Sequence, residues 1–435
     1  MATHSDVIII GAGVIGCALG LELAQRRYRV VQVDKLGEAG LGSTSNSCAI
    51  VRAHYSTYMG VALAYECFHY WRDWASYAGA HDERGLARFV NCGSLLIKSP
   101  GHKWEQITRL YEAVGVAHEH WTPAQLRARL PFLNTQAFYP PARPDDPDFW
   151  REPSGDLLGA VFTPGAGYVT DPALAAHNLQ RAAEVRGVRY RFNAAVTAIR
   201  QAGGRVQGVT LSTGEHLDAP IVVNVAGPHS FVINRLAGVE AGMRIKTRAL
   251  RHEVHLVPSP AGFDFEHAGL HISDGDTGIY MRPEAGNTIL VGSGDPACDS
   301  KEWVDDPDHF NRAVTEAQWK AQVYRLAKRL PTLGIPNEKK GLVDLYDVAD
   351  DWIPIYDKSD LAGFYMAVGT SGNQFKTAGP AGHLMAELIQ RCEAGHDHDR
   401  EPVQVAARYT GLQLDLGVFS RRRSINTNSS FTVSG

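Results

Sequence analysis

The chain has 435 residues, of which 44% are hydrophobic and 21% are charged, and its formal net charge is -4. This length allows a sizeable core and favours two domains, while the weak negative charge argues against nucleic acid or an anionic membrane surface as the main partner. The N-terminal apolar run VIII covers four residues, too short for a signal peptide or a membrane span, so we expect no integral membrane association.

The first predicted unit is a strand, a glycine-rich loop and a helix. Residues 6–10 form a β-branched run typical of a buried parallel strand, GAGVIG follows at 11–16, and helical composition continues over 14–27. A second strand is predicted over 29–33, and Asp34 follows it. This arrangement predicts a dinucleotide site.

Each residue of the pattern has a physical role. Gly11 makes the tight turn, and Gly13 lets backbone N–H groups approach a pyrophosphate at the helix N-terminus. Gly16 permits close packing of strand and helix, and Asp34 accepts hydrogen bonds from a ribose. The motif by itself fits NAD and FAD equally.

The following segments favour FAD. After Asp34 the sequence GEAGLGSTSNSCAIVRAHY is a loop of small, hydroxyl and amide residues, which suits a large polar cofactor lying along it. A helix is predicted to begin after Asp171-Pro172. It is followed by an antiparallel meander and the strand IVVNVAG. A meander inserted into a dinucleotide fold is typical of FAD-binding domains of the glutathione-reductase type, with Val196 expected to contact adenine through its backbone.

Two regions interrupt the α/β alternation. The stretch 89–155 contains the proline-rich FYPPARPDDPDFWREPSG, predicted to be a surface loop. The stretch 250–294 holds the strand-like runs HEVHLV, GIYMR and TILVG, and helical residues follow to about 331. Within it, GSGDPA at 292–297 fits GxGxxA, but CDSKEW after it is no apolar helix start, so we interpret it as a strand end with a turn.

The predicted fold class is therefore α/β (α+β overall), with a glutathione-reductase-type FAD-binding Rossmann domain and an interleaved antiparallel-sheet substrate domain. The predicted ranges are 1–88, 156–240 and 338–395 for the FAD-binding domain, 89–155 and 241–337 for the substrate domain, and 396–435 for a C-terminal extension. The RRR run at 421–423 is predicted to be a solvated face. The six cysteines lie far apart without a CxxC pair, which indicates reduced thiols and a cytoplasmic location.

The chain resembles the D-amino-acid oxidase superfamily, most closely its sarcosine oxidase branch, over nearly its whole length. The segments that carry the resemblance are DVIIIGAGVIG, GSTSNSCAIVRAHYS, GYVTDP, VVNVAGP, IYMRPEAGNTILVG, LYDVADDWIPI and GFYMAVGTSGNQFKTAGPAG. The last is the most diagnostic of them.

The resemblance implies that the GTSGNQFK loop lies against the flavin ring. Its backbone donors and the following helix N-terminus would stabilise the negative charge of the reduced flavin. The predicted cofactor-contacting residues are Gly11, Gly13, Val14, Ile15, Gly16, Asp34, Lys35, Ser43, Thr44, Ser45, Val196, Ala226, Gly227, Gly369, Gly372, Asn373, Gln374, Phe375 and Lys376.

The resemblance also implies a carboxylate site. Arg52 and Lys376 would hold the carboxylate of an amino acid, since a guanidinium presents a fork of donors to a planar carboxylate. Arg282 and Tyr280 are two further candidates for this site, with a role at the domain interface as the alternative. His54 and Tyr55 lie close to Arg52 in the sequence and are candidates for selecting the neutral amine, with a packed histidine as the alternative.

Some positions depart from the family pattern. Asp344 stands where some members attach flavin to a cysteine, and Ser45 and Asn46 stand where others use a histidine. We therefore expect non-covalent FAD. Leu290 aligns with a lysine that assists the reaction with oxygen in monomeric oxidases, so we expect oxygen to be a poor electron acceptor.

The function indicated is FAD-dependent oxidation of the C–N bond of an amino acid or an N-methyl or secondary amino acid. Hydride transfer to the flavin would give an imine that hydrolyses. The expected partners are a small amino acid or amine substrate and either oxygen or an electron-transfer acceptor. The alternatives are an FAD-dependent hydroxylase using NADPH and a β-type subunit of a heteromeric sarcosine oxidase-like complex, so a homo- or hetero-oligomer is open.

Overall fold

A computed structural model describes residues 5–100 and 103–435. Its helices are α1 (Val14–Gln25), α2 (Tyr58–Arg72), α3 (Trp74–Ala78), α4 (Trp104–Val114), α5 (Pro123–Arg129), α6 (Pro172–Val185), α7 (Ser230–Ala237), α8 (Phe265–Ala268), α9 (Glu316–Arg329) and α10 (Ala378–Glu393). Within these two ranges, none of the helices combines the length and the apolarity needed to cross a bilayer.

The predicted dinucleotide unit is the centre of a six-stranded sheet. In spatial order the strands are Arg189–Arg191, Val30–Val33, Val7–Ile10, Ile221–Asn224, Phe364–Val368 and Ile355–Lys358. All neighbours pair in parallel except the last two. The strand bearing VIII is buried throughout, as a parallel strand covered on both faces requires.

Small residues bring α1 close to its neighbours. A Cβ on Gly16 would overlap the Gly11 carbonyl, and one on Gly382 would lie 2.8 Å from the Ala18 backbone. Since real Cβ contacts are longer than this, only glycine lets the strand and α10 approach α1 here. The role predicted for Gly16 is therefore confirmed.

A three-stranded meander follows α6 and precedes the strand Ile221–Asn224. Its strands are Val196–Ala202, Arg205–Leu211 and His216–Asp218. Asp171 caps α6 by accepting a hydrogen bond from the backbone N–H of Leu174, and Pro172 occupies the first turn. Both the helix start and the meander were predicted correctly.

The second large sheet has nine strands and packs beside the first unit. Its path runs through Glu302–Val304, Thr247–Pro258, Thr288–Ser293, Ile279–Glu284, His271–Asp274, Ser94–Ile97, Ala160–Thr163 and Glu119–Trp121, with Lys340–Ala349 paired on Thr247–Pro258. All its neighbours are antiparallel except His271–Asp274 with Ser94–Ile97.

This sheet shifts two of the predicted domain boundaries. Ala160–Thr163 and Lys340–Ala349 were assigned to the FAD-binding ranges, but both are strands of the larger sheet. Thr247–Pro258 pairs along the whole of Lys340–Ala349, so both strands belong to the second unit. The GSGDPA stretch is the end of Thr288–Ser293 and a turn, as interpreted.

The remaining strands form three small sheets. They are Ile50–Val51, Gly167–Val169 and Phe89–Val90; Gln136–Ala137 with Gly155–Asp156; and Gln404–Ala406 with Gln413–Asp415. Between 138 and 155 the chain is irregular apart from the 3₁₀ turn Pro147–Trp150, which agrees with the predicted loop.

Candidate active site

A cavity of about 1070 Å³ connects the two units. One end is lined by the Gly11–Gly16 loop and by Asp34, and the other by the loop at 372–376 and by strands of the nine-stranded sheet. Residues far apart in the sequence therefore meet around one space.

The glycine loop opens to this cavity at Gly13. Gly11 has a φ of +111°, and a Cβ there would overlap the Val225 carbonyl, so the turn requires glycine. By contrast, a Cβ on Gly13 would meet only the Thr44 hydroxyl, at 3.1 Å. The Thr44 hydroxyl accepts a hydrogen bond from the Val14 N–H at 3.1 Å, at the start of α1. The loop therefore leaves room for a phosphate at a helix N-terminus.

Asp34 is fixed beside this loop by two backbone donors. Its carboxylate oxygens accept from the N–H of Ala12 at 2.7 Å and of Leu36 at 2.8 Å. A carboxylate offers about four lone-pair sites, so acceptor capacity remains for ribose hydroxyls. Lys35 also lines the cavity, where its ammonium pairs with Asp308. The remaining predicted nucleotide contacts that line this end are Val14, Ile15, Gly16, Ser43, Thr44, Val196, Ala226 and Gly227.

The glycine-rich loop near residue 370 contains three left-handed residues. They are Gly369, Ser371 and Gly372, with φ values of +70°, +48° and +68°. A Cβ on Gly372 would overlap the Tyr346 ring, so the loop lies directly against that ring. The 3₁₀ turn Phe375–Thr377 then leads into α10, and Gly372, Asn373, Gln374, Phe375 and Lys376 line the cavity.

A buried aspartate holds this loop. The Asp347 carboxylate accepts the Gly369 N–H at 2.6 Å, and its backbone carbonyl accepts the Ser371 N–H at 2.6 Å. Burial raises the pKa of Asp347 to about 7. The strand Lys340–Ala349 therefore carries the residues that set the loop's shape.

Arg52 and Lys376 lie together around the ring of Tyr55. The Arg52 Cζ is 5.1 Å and the Lys376 Nζ 4.9 Å from the ring centroid, and both residues line the cavity. Lys376 donates to the Asn373 carbonyl at 2.6 Å and is 2% exposed. Burial, and then the charge of Arg52, hold the pKa of Lys376 well below its ordinary value. An anion placed between these two groups would offset both effects.

Two stacked histidines border the two cations. The rings of His54 and His271 are 6.0 Å apart, with His54 Nε2 2.9 Å from the Ser273 hydroxyl and His271 Nδ1 2.7 Å from the Ser94 hydroxyl. Burial, with Arg52 next, holds the pKa of His271 well below its ordinary value, so its imidazole is neutral. His271 was missed in the sequence, because nothing around it forms a motif.

A second set of polar side chains lies in the cavity near the Gly372 loop. His252 stacks on Tyr346 at 4.1 Å and pairs with Asp295 at 3.1 Å. The Tyr280 hydroxyl lies 3.3 Å from the Cys48 thiol. All five residues line the cavity. Asp295 follows the turn that ends Thr288–Ser293, so the GSGDPA stretch contributes to the cavity without binding as a nucleotide loop.

Five sequence-predicted residues lie outside the cavity lining: Arg282, Tyr55, Ser45, Gly369 and Leu290. Arg282 donates to the carbonyls of Cys48 and Pro283 and pairs with Glu284. These contacts agree with the interface role that was the alternative for Arg282.

The Tyr55 hydroxyl donates to the Asn373 carbonyl at 2.9 Å. The other three are held by packing or by their own loop. The Ser45 hydroxyl donates to the Gly42 carbonyl at 3.0 Å. A Cβ on Gly369 would lie 2.9 Å from the Ala349 Cβ, behind the loop. Leu290 is 3% exposed in an apolar cluster with Val254 and Tyr280. Leu290 therefore packs behind two residues that line the cavity, Val254 and Tyr280.

Comparison with known proteins identifies the relatives of this chain. Residues 6–388 match the family model DAO, described as FAD dependent oxidoreductase. Glycine oxidase of Geobacillus kaustophilus is 23% identical over 91% of this chain and 96% of its own, and sarcosine oxidase subunit beta of Rhodobacter capsulatus is 24% identical over 89% and 85%. The crystal structure of L-proline dehydrogenase from P. horikoshii superposes with a TM-score of 0.74 at 18% identity, covering 97% of this chain and 98% of the other.

Proposed function

This chain belongs to the DAO family of FAD-dependent oxidoreductases, and on that premise we propose that it oxidises the C–N bond of an amino acid or of an N-methyl or secondary amino acid. The glycine oxidase, sarcosine oxidase and proline dehydrogenase relatives support this class of substrate. When bound, FAD supplies the acceptor for the hydride that leaves the carbon next to nitrogen.

The observation that carries the proposal is that Arg52 and Lys376 lie beside the same ring, that of Tyr55, and both line the cavity that begins at the Gly11–Gly16 loop. Among the described residues, neither cation forms an ion pair with an acid; two nearly buried cations of this kind fit a substrate carboxylate, since burying an unpaired charge is costly. The carboxylate would restore the charged form of Lys376 that burial disfavours.

The other residues orient the substrate and exclude water. With the carboxylate held at Arg52 and Lys376, the carbon–nitrogen end extends toward the Gly372 loop and Tyr346. Neutral His271 adds no positive charge beside the amine. Orientation of a neutral amine is then the main contribution of the protein, and we assign no acid–base triad.

The test is an anaerobic screen of the holoenzyme against sarcosine, proline, dimethylglycine and D-amino acids. The proposal expects at least one of them to bleach the visible flavin absorbance without NADPH. If NADPH bleaches the flavin rapidly and no amine does, a hydroxylase is the better reading.

A second candidate is a β-type subunit of a heteromeric enzyme, because sarcosine oxidase subunit beta aligns over most of this chain. Size-exclusion chromatography and flavin reduction of the protein expressed alone distinguish the two. Reduction by a substrate without a partner chain supports an independent enzyme. We also propose a cytoplasmic location, on the six free cysteines of the chain.

We expect FAD to be bound non-covalently. Asp344 accepts a hydrogen bond from the Asn46 side chain at 2.7 Å, so a carboxylate and an amide stand at the two candidate attachment positions. Burial raises the pKa of the nearby Cys48 thiol, which keeps it protonated and weakly nucleophilic. Acid precipitation should leave a colourless pellet and a yellow supernatant. A yellow pellet would contradict this, and peptide mapping would then begin at Cys48.

We expect oxygen to accept electrons more slowly than an artificial dye or a quinone analogue. The expectation rests on Leu290, which stands where monomeric oxidases carry a lysine; its cross-strand neighbour Arg282 is a cation, but it pairs with Glu284 and lies outside the cavity lining. The measurement compares peroxide formation at air saturation with dye reduction at the same substrate concentration. Equal rates would show that this surface does not limit the reaction with oxygen.

A further inference from the structure

Residues 427–435, here called the strap, extend beyond the family match and enter the substrate end of the cavity. Thr427 and residues 429–434 are among its lining residues. The family model ends at 388, so the comparison assigns this segment no role. The segment belongs to the predicted C-terminal extension, and this part of the extension lines the cavity.

Buried ion pairs anchor the chain just before the strap. Arg421 is 0% exposed and donates to Asp399 at 2.8 Å and to Asp357 at 3.1 Å. Arg423 pairs with Asp351 at 2.7 Å. The prediction of a solvated RRR face is therefore wrong for Arg421 and Arg423, which acidic residues distant in the sequence neutralise, while Arg422 is exposed.

The strap itself makes polar contacts with the cavity wall. The carbonyl of Val433 accepts from Arg52 Nη2 at 2.6 Å, and that of Ser434 accepts from the Ser56 N–H at 3.2 Å. The Ser56 hydroxyl donates to the Gly435 carbonyl. On the outer side, Lys301 donates to the Phe431 carbonyl at 3.2 Å.

Apolar packing holds one side chain of the strap. Val433 packs against the cluster of Leu250, Val348 and Trp352, together with Tyr346. Tyr346 is the ring that contacts the Gly372 loop. The strap is therefore in contact with Arg52 and with the apolar cluster on which Tyr346 also packs.

The contact with Arg52 sets the direction of its guanidinium. Nη1 donates to the His54 carbonyl at 2.6 Å and Nη2 to the Val433 carbonyl at 2.6 Å, so two fixed acceptors define the plane of the group. A guanidinium has five N–H donors, and these bonds leave others for a carboxylate. Loss of the Val433 carbonyl would free the plane to rotate.

We propose that the strap is the specificity-determining wall of the substrate pocket: it limits the size of the substrate side chain and positions Arg52 for the carboxylate. The inference rests on the proposed function for the identity of the substrate. Its physical content, a wall beside a carboxylate-binding arginine, is testable by ligand binding alone.

The experiment uses the holoenzyme in four forms: wild type, a chain stopping at Asn426, Thr432→Trp and Ile425→Ala. Ile425 is 51% exposed and outside the cavity lining, so its variant is the matched control. The probes are acetate and benzoate, a small and a large carboxylate, titrated by the change in the flavin spectrum. For any amino acid that reduces the flavin, KM and kcat are measured as well.

We expect shortening to weaken acetate binding about tenfold, which is the lower end of the effect of losing one hydrogen bond to a charged group. The affinity for benzoate should fall less, or should rise, because the wall that limits its size is removed. Thr432→Trp should shift the ratio the other way, excluding benzoate and retaining acetate. With amino acid substrates these changes should appear mainly in KM. Ile425→Ala should match wild type.

Three outcomes would overturn the proposal. An unchanged acetate-to-benzoate ratio in both strap variants would mean that the strap does not border the ligand. Tighter binding of both probes after shortening would identify a plug that competes with substrate. If the shortened chain does not fold or does not hold FAD, the Thr432→Trp variant alone tests the proposal. An acetate-to-benzoate affinity ratio equal to that of the wild type in this variant would refute a wall formed by the strap. Failure of every amine to reduce the wild type would refute the proposed function and leave the carboxylate measurements intact.

Discussion

Replacing Lys376 by Met, or Arg52 by Met, lowers kcat/KM for an amino acid while FAD stays bound. Each cation would donate a charge-assisted hydrogen bond to the substrate carboxylate, worth about 1.5–3 kcal/mol. At about 1.4 kcal/mol per factor of ten, the expected loss is about 10- to 150-fold. The measurement is anaerobic flavin reduction by an amino acid and by its decarboxylated analogue, in wild type and in both variants.

The decarboxylated analogue is the internal control, since it should lose little in either variant. Lys98→Met is the matched control for removing a nearly buried lysine: Lys98 is 9% exposed over the Trp104 ring and outside the cavity lining. Lys376 is the cleaner probe, because Arg52 also binds the Val433 carbonyl. Equal losses on both substrates, or loss of FAD, would assign these residues to the cofactor or the fold.

The lowered pKa of Lys376 gives this result a pH dependence. Burial favours the neutral amine, so the lysine loses its proton at a lower pH than a free lysine does. The charged form binds the carboxylate, and KM should therefore rise as pH increases through this pKa. In Lys376→Met that rise should disappear.

Replacing Gly13 by Val abolishes FAD binding without unfolding the protein. A Cβ at Gly13 has only the Thr44 hydroxyl within 4 Å, so the added side chain enters the space that the pyrophosphate needs. The flavin content should fall from about one FAD per chain to near zero. It is measured by absorbance after denaturation, and circular dichroism reports the fold.

Two other glycine variants serve as controls for the Gly13→Val result. Gly37→Val should keep FAD, because Gly37 lies outside the cavity lining and its nearest neighbour is 3.5 Å from a built Cβ. Gly16→Val should lose both FAD and stability, since its Cβ overlaps the Gly11 carbonyl. Asp34→Ala should weaken FAD binding less than Gly13→Val does, because the phosphate position survives. Normal flavin content in Gly13→Val would refute the assignment of the loop.

The nucleotide end could be predicted because its information is local. The turn at Gly11, the packing of Gly16 and the acid at Asp34 lie within one strand–loop–helix–strand unit, where spacing determines position. Arg52 and Lys376 could be paired only through the family resemblance, because they lie on different elements that the fold brings to one ring.

The rest of the site depends on contacts between distant segments. Nothing near Arg421 in the sequence shows that Asp357 and Asp399 will bury it, and nothing near Val433 shows that its carbonyl meets Arg52. His252 and Asp295 pair through the geometry of neighbouring strands and a turn. The contact of Arg282 with the Cys48 carbonyl likewise joins residues far apart in the sequence.

The proposed function requires that a hydride leave the substrate carbon that bears nitrogen and reach the flavin. The most direct measurement is anaerobic stopped-flow mixing of the holoenzyme with its best amino acid substrate, normal or deuterated at that carbon. We expect bleaching of the visible flavin absorbance in the absence of NADPH, several-fold slower with the deuterated substrate. Bleaching by NADPH alone, with every amine inert, would contradict it.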